Sequence, residues 1–149
     1  MEDKDLLQFN MNMGKLISSA HNMMTRRFVQ NTYEAGLDIS LDQWMVLGPI
    51  HYHGNPSQKI LSDVCLKDKT SVSRIINTLE NKNLVVRVSD QIDKRVNRII
   101  LTGAGKQLFS DILPIMNKTK KEVSRGLSEF EIKTFKDVLS KIIQNLTNE

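Results

Sequence analysis

The sequence predicts a mainly α-helical protein with one small β-hairpin near its middle. Three observations predict it. Apolar residues recur at steps of three and four through most of the 149 residues, the period of one helix face. Two runs rich in β-branched residues, Leu84–Val88 and Asn97–Leu101, interrupt that period once. Breaker clusters and capping boxes mark the joints between segments.

The first element carries Leu6, Phe9, Met13, Leu16, Ile17, Ala20, Met23, Met24 and Phe28 on one face. A helix of about 27 residues rises roughly 40 Å, long for so small a chain, so part of its stripe needs a partner outside its own lobe. Met11, Met13, Met23 and Met24 are adaptable filler for a core or an interface. Gly36-Leu37-Asp38-Ile39 breaks the pattern. Ser40-Leu41-Asp42-Gln43 reads as a capping box for a helix with Leu41, Trp44, Leu47 and Ile50 inward. Tyr52-His53-Gly54-Asn55-Pro56 ends it. Ser57 is a good N-cap for a short helix through Cys65 that buries Ile60, Leu61 and Val64. After the turn Lys67-Asp68-Lys69, a third helix to Lys82 buries Val72, Ile75, Ile76 and Leu79.

The two β-branched runs then form a hairpin with a charged tip between Ser89 and Val96. Thr102-Gly103-Ala104-Gly105 leads into a helix with Leu108, Ile112, Leu113 and Met116, where Pro114 predicts a kink or break. Ser128-Glu129-Phe130-Glu131 is a second capping box, with Leu127 and Ile132 placed to staple it. The last helix carries Phe135, Val138, Leu139, Ile142, Ile143 and Leu146. The order α, α, α, α, β, β, α, α places a central lobe at residues 40–102 between bracketing helices.

Composition excludes several classes. Forty per cent of residues are hydrophobic, enough for a core, so disorder is not expected. No apolar run approaches the ~18 residues of a membrane span. No basic and apolar leader follows Met1-Glu2-Asp3-Lys4-Asp5, and one cysteine makes no intrachain disulfide. A soluble, cytoplasmic protein is expected. There is no nucleophile elbow, Gly-rich phosphate loop or metal-ligand set, so neither an enzyme nor a cofactor is expected.

The net charge of +4 is uneven. Residues 1–52 sum to −2, residues 53–102 to +4 and residues 103–149 to +2. The basic third contains the helix whose outer face bears Lys69, Thr70, Ser71, Ser73, Arg74, Asn77 and Thr78. That face has no acidic side chain before Glu80. Hydroxyls, an amide and cations are the donors that hold phosphates and read base edges. A solvated helix would interleave Glu with its Lys at i, i+4, and the positive helix amino end adds phosphate attraction. A short helix, a turn and this second helix make a helix-turn-helix. Asp93-Lys94-Arg95 at the hairpin tip, with Arg87 and Arg98 on the strands, suits a wing reaching a minor groove. Asp93 is expected to hold a neighbouring Arg in one rotamer.

At these residues the chain resembles a family. Val72-x-x-Ile75-Ile76-x-x-Leu79-Glu80-x-Lys82-x-Leu84-Val85-x-Arg87, then Asp93-Lys94-Arg95, then Leu101-Thr102-x-x-Gly105 and the Leu127-Ser128 helix start, resemble the MarR family of winged helix-turn-helix transcriptional regulators. Asn83 stands where that family usually has Gly, and Asn is the next best residue for a left-handed cap.

The resemblance implies a single MarR-like domain over 1–149. It would comprise a winged helix-turn-helix DNA-binding lobe at 40–102 and a helical dimerisation region at 1–36 and 103–149. It implies a homodimer, probing successive major grooves of a pseudo-palindromic operator about 34–36 Å apart. The expected function is a sequence-specific DNA-binding transcriptional regulator, a repressor that a small-molecule effector would release. Ser57, Gln58 and Lys59 would meet phosphate. Lys69, Thr70, Ser71, Ser73, Arg74 and Asn77 fall on recognition-helix positions, Lys94 and Arg95 on the wing, and Asp93 on its partner.

An effector would sit between dimer helices and lobe, near Ile17, His21, Trp44, Met45 and Tyr52. Some relatives use a cysteine switch, but Cys65 lies beside Leu61, Val64 and Leu66, and burial makes a thiol inert. His51 and His53 lack the spacing of a helical metal pair. The alternatives are a winged-helix protein-interaction module, which would show exposed apolar anchors on Lys69–Thr78, and a nonspecific architectural DNA binder, with steep salt dependence and no sequence preference.

Overall fold

The computed structural model describes residues 4, 5, 8 and 11–147. Its named elements run α1 (Met13–Glu34), α2 (Leu41–His53), α3 (Gln58–Cys65), α4 (Lys69–Asn81), β1 (Val85–Ser89), β2 (Asn97–Leu101), α5 (Gly103–Val123) and α6 (Glu129–Thr147). The predicted class holds: mainly α with one antiparallel hairpin. No described helix is long and apolar enough to cross a membrane.

Helix α1 starts later and ends later than its apolar stripe predicts. Asn12 caps it, accepting from the Gly14 amide at 2.9 Å, and Leu6 and Phe9 lie outside the described residues. Beyond Phe28 the helix is held by polar side chains. Asn31 is buried and donates to the Thr119 hydroxyl at 2.9 Å and to Glu122 at 3.0 Å. That amide holds the Glu122 carboxyl below its ordinary range, helped by Arg27 and Lys118. The network fixes α1 along α5, as a fully satisfied buried polar pair fixes register.

The capping box of α2 forms in both directions: Gln43 N donates to Ser40 Oγ at 3.1 Å and Ser40 N to Gln43 Oε1 at 3.2 Å. Ser57 caps α3 and Asp68 caps α4. Helices α2, α3 and α4 enclose Val46, Leu47, Ile50, Leu61, Val72, Ile76 and Leu79, which the hairpin closes with Val85 and Ile99. Ile60 and Val64, expected inside, are exposed. An eight-residue helix on the lobe surface turns only a narrow face inward, and Leu61 and Ser62 fill it. Ile75 is only half-buried.

Left-handed residues make the joints. Leu66 has φ 51 between α3 and α4, and Asn83 has φ 58 after α4. Leu84 N returns to Leu79 O at 2.9 Å, the six-to-one bond of a Schellman stop. The Leu-Thr-x-x-Gly element is a tight junction. Thr102 donates from its hydroxyl to Asn83 O at 2.6 Å, and that hydroxyl accepts from Gly105 N at 3.0 Å. A Cβ at Gly105 would strike the Leu84 carbonyl. Helix α5 then runs to Val123 without the break expected at Pro114. It buries Phe109 and Ile112, while Leu113 is exposed.

The Ser128 capping box closes on Glu131, and the Ser128 amide and hydroxyl lower the Glu131 carboxyl pKa. Helix α6 follows, and none of its residues is buried.

Candidate nucleic-acid interface

Strand pairing sets the wing. Val85 pairs with Leu101, Arg87 with Ile99 and Ser89 with Asn97. Alternation turns Val85 inward and leaves Val86 and Val88 exposed. A bridge between Ser57 and Arg98, with Ile99 N donating to Pro56 O at 2.9 Å, ties β2 to the start of α3.

This tie brings the wing to the helix amino ends. Ser57, Gln58, Lys59, Lys69, Arg95, Val96 and Asn97 line one cleft of about 310 Å³. Its cations come from three elements. The Arg95 side chain is 92% exposed, and Asp93 Oδ1 accepts from its Nε at 3.2 Å and its backbone N at 3.1 Å. The expected Asp93–Arg95 pair is therefore present and aims the guanidinium outward. Lys59 makes an exposed i,i+4 pair with Asp63 at 3.5 Å, a contact that costs little to break. Lys94 is exposed beside Arg95.

On α4, Lys69, Thr70, Arg74 and Asn77 are exposed, and Ser71 and Ser73 are half-buried. Ser71 belongs to the cap: its Oγ donates to Asp68 Oδ2 at 2.7 Å and its N to Oδ1 at 2.8 Å. These bonds, the hydroxyl first, lower the Asp68 carboxyl pKa. A carboxylate thus stands at the amino end of α4 and offsets the positive helix end expected there. The neutral cap is Ser57 on α3, so the helix amino end that keeps its positive character at the cleft is that of α3. Ser57 itself is buried, with its Oγ accepting from Ile60 N at 3.2 Å and its carbonyl from Leu61 N at 3.1 Å, so it serves the cap.

Two strand arginines counted with the basic tip are engaged inside the lobe. Arg87 pairs with Glu80 through Nη1 and donates from Nη2 to Ser73 O at 3.3 Å. Arg98 donates to Asp90 at 2.9 Å. Asp90 also accepts from the Ile92 and Asp93 amides at 3.1 and 3.0 Å. The Asp93 amide, then Arg98, hold the Asp90 carboxyl below its ordinary range. Sequence reasoning missed Asp90; the signal was an Asp two residues before a loop turn, the pattern of an Asx-turn.

The proposed effector residues divide. Trp44 stacks on Phe109 at 5.1 Å and Tyr52 meets it edge-on at 5.8 Å, with His51 stacked on the same ring at 3.9 Å. Ile17, His21 and Met45 are exposed outside that aromatic group. His51 and Phe109 join it without having been singled out for it. Cys65 is half-buried, its Sγ near Met45 O at 3.5 Å. Burial pushes its thiol pKa up, against the pull of Lys67. A larger concavity of about 580 Å³ runs along α5 past Pro114, Lys118, Lys121 and Arg125, away from the basic lobe. Lys118 there is paired with Glu34 at 3.7 Å.

Known proteins share this fold. Residues 36–96 match the model of the MarR family. The fold matches MarR from E. coli, a cysteine-to-serine mutant complexed with operator DNA, with TM-score 0.81 and 26% identity over 90% of this chain and 96% of that one. It matches the S. aureus MepR–DNA complex with TM-score 0.79 and 25% identity over 91% and 97%. It also matches Bordetella bronchiseptica BpsR, whose DNA binding is regulated by 6-hydroxynicotinic acid, with TM-score 0.83 and 22% identity over 90% and 94%. The resemblance read from the sequence holds: the chain is MarR-like in sequence over 36–96, and its structural neighbours are MarR-family transcriptional regulators.

Proposed function

We propose that this chain is a sequence-specific DNA-binding transcriptional regulator, a homodimeric repressor acting on a pseudo-palindromic operator. One observation carries the reading: Arg95, Lys59 and Lys69, from three separate elements, converge with the amino end of α3 on a single cleft. A phosphate placed there would meet three cations at the positive end of a helix. Beside it Thr70, Arg74 and Asn77 present donors for base edges. The large apolar residues of α4 turn away from this face, Val72, Ile76 and Leu79 being buried and Ile75 half-buried.

The homodimer is supported by apolar surface outside the lobe. Phe130, Phe135, Val138, Ile143 and Leu146 on α6 are exposed, as are Met13, Leu16 and Met23 on α1. Such faces are stable when a second copy covers them. An effector would bind at the aromatic group of Trp44, His51, Tyr52 and Phe109, between α2 and α5. It relieves repression only by preferring the geometry that does not fit DNA.

Selection of bound fragments from a random DNA pool at two salt concentrations tests the reading. Enrichment of a pseudo-palindrome with half-sites about one turn apart is the expected result. Weak, salt-steep binding without a motif would make the protein an architectural binder.

A further inference from the structure

Arg87 is the one strand cation that spans two turns of the recognition helix. On that helix it meets Glu80 and, seven residues earlier, Ser73. Glu80 receives both ends of the residue: its Oε1 accepts from Arg87 N at 3.1 Å and its Oε2 from the guanidinium. The Ser73 carbonyl accepts Nη2 at 3.3 Å, and its hydroxyl lies 3.5 Å from the same atom. Arg87 and Glu80 are both mostly covered, with side chains 20% and 32% exposed. Such a two-pronged bond needs the planar guanidinium fork, which an ammonium does not supply.

The placement of this bond matters. Strand β2 is tied to Pro56 and Ser57, whereas among the described residues the backbone–backbone hydrogen bonds of β1 go to β2 alone. Arg87 stands mid-strand, between the lobe core at Val85 and the tip that begins at Asp90. Beyond it, Asp90 locks the turn and Asp93 aims Arg95. Arg87 and Asp90 share no bond: Arg87 holds β1 to α4, and three residues on, Asp90 accepts from Arg98 of β2 and from the turn amides that lead to Asp93 and Arg95.

We propose that Arg87 is a positioning residue that touches no DNA. Its bond to Glu80 and Ser73 fixes the wing to the recognition helix, so that Arg95 and the α4 face engage DNA as one rigid unit. The role rests on the DNA-binding reading above, and two readouts keep the ideas separable.

The first readout is amide hydrogen exchange in the full chain without DNA. The Asp90 amide donates to Val96 O at 2.8 Å and the Val96 amide to Asp93 O at 2.9 Å. Arg87→Ala is expected to lower protection at both by about tenfold or more while the α4 amides keep theirs. Unchanged protection overturns the clip, whatever the protein binds.

The second readout is operator affinity against salt. Arg95→Ala should lower the salt slope by about 0.9, as loss of one phosphate contact does. Arg87→Ala should weaken specific binding roughly tenfold with the slope unchanged. Added to Arg95→Ala, it should cost under about twofold more, because both act through one contact. Arg87→Lys should stay impaired. A slope falling by about 0.9 in Arg87→Ala, additive losses, or full recovery by Lys would make Arg87 an ordinary phosphate contact and overturn the proposal.

Glu80→Gln serves where Arg87→Ala fails to fold. It makes the protein more positive by one charge, so a simple electrostatic account expects tighter binding. The clip requires weaker specific binding, and tighter binding would overturn it. Should the wild-type chain select no sequence, the DNA reading fails while the exchange result still decides the clip.

Discussion

The central lobe and the helix α6 have similar apolar content and opposite fates. In the lobe, Val46, Leu47, Leu61, Val72, Ile76, Leu79 and Ile99 are completely covered by their own chain. On α6, Phe130 is 78% exposed and Leu146 71% exposed, and no residue is buried. The lobe is closed by three helices and a hairpin whose faces meet one another. Helix α6 shows the same helical stripe, and the described residues bury none of it. A periodic apolar face thus specifies that a helix must be covered, and not by which chain. The lobe should report on one copy and α6 on the pairing of two.

The largest effect should come from a charge in the α6 stripe. Ile142→Asp would place a lone carboxylate in the proposed seam, and the two-fold would repeat it. We expect dissociation to strengthen by about 1000-fold or more, roughly 4 kcal/mol, with near-native helix content and an intact lobe. Light scattering checks it, and a variant that remains fully dimeric would break the comparison at its first term. Leu47→Ala tests the other term. Removal of a fully buried Leu should cost roughly 2–5 kcal/mol of unfolding free energy, read by denaturant titration. The same loss should appear when it is combined with Ile142→Asp, because the lobe core does not depend on the partner.

Arg95→Ala addresses the surface of the lobe instead of its interior. Its side chain is almost wholly exposed, so stability should be unchanged within about 0.5 kcal/mol. Operator binding should weaken by roughly 1–3 kcal/mol, measured by titration at physiological salt, with the dimer intact. Unchanged affinity would remove Arg95 from the interface.

How much of this was legible in the sequence depended on the kind of signal. Capping boxes at Ser40 and Ser128 and the helical stripe of α2 were readable because they are local and periodic. The α1 boundary was not, because its last turns are held by Asn31 and Thr32, polar residues in buried positions that an apolar pattern skips. Phe109 was passed over for Leu108 and Leu113, since one residue of drift on a helix decides which face meets Trp44. Lys59, Lys69 and Arg95, all named from the sequence, line one cleft. The sequence carries no sign that Arg87 and Arg98 point inward, because Glu80 and Asp90 meet them across a helix–strand and a strand–strand boundary. Charge counting overstated how many of the lobe's cations are free.

Asp90 gives the smallest effect and the sharpest view of the lobe acting alone. Its carboxyl is held below the ordinary range, first by the Asp93 amide and then by Arg98. A carboxylate whose folded pKa is depressed contributes stability that is fully present above its unfolded value, near 3.9. That contribution is lost as pH falls through the lower folded value. Between pH 6 and 8 the group stays ionised, so the wing turn should show no pH dependence there. As pH falls below the free-Asp value of about 3.9 and through that lower folded value, protonation should release Arg98 and the Ile92 and Asp93 amides, loosening the tip before the lobe core opens. Carbon chemical shifts of the Asp90 carboxyl against pH check the direction, and a midpoint above that of a free Asp would contradict it. Asp90→Asn keeps an acceptor for the turn amides and removes the charge for Arg98, so it should loosen the tip at neutral pH without abolishing the turn. Because the tip lies within the lobe and far from the α6 stripe in sequence, the same titration should be found in the Ile142→Asp monomer. A midpoint that moved on monomerisation would show that pairing reaches the wing, and that lobe and dimer helices are one unit.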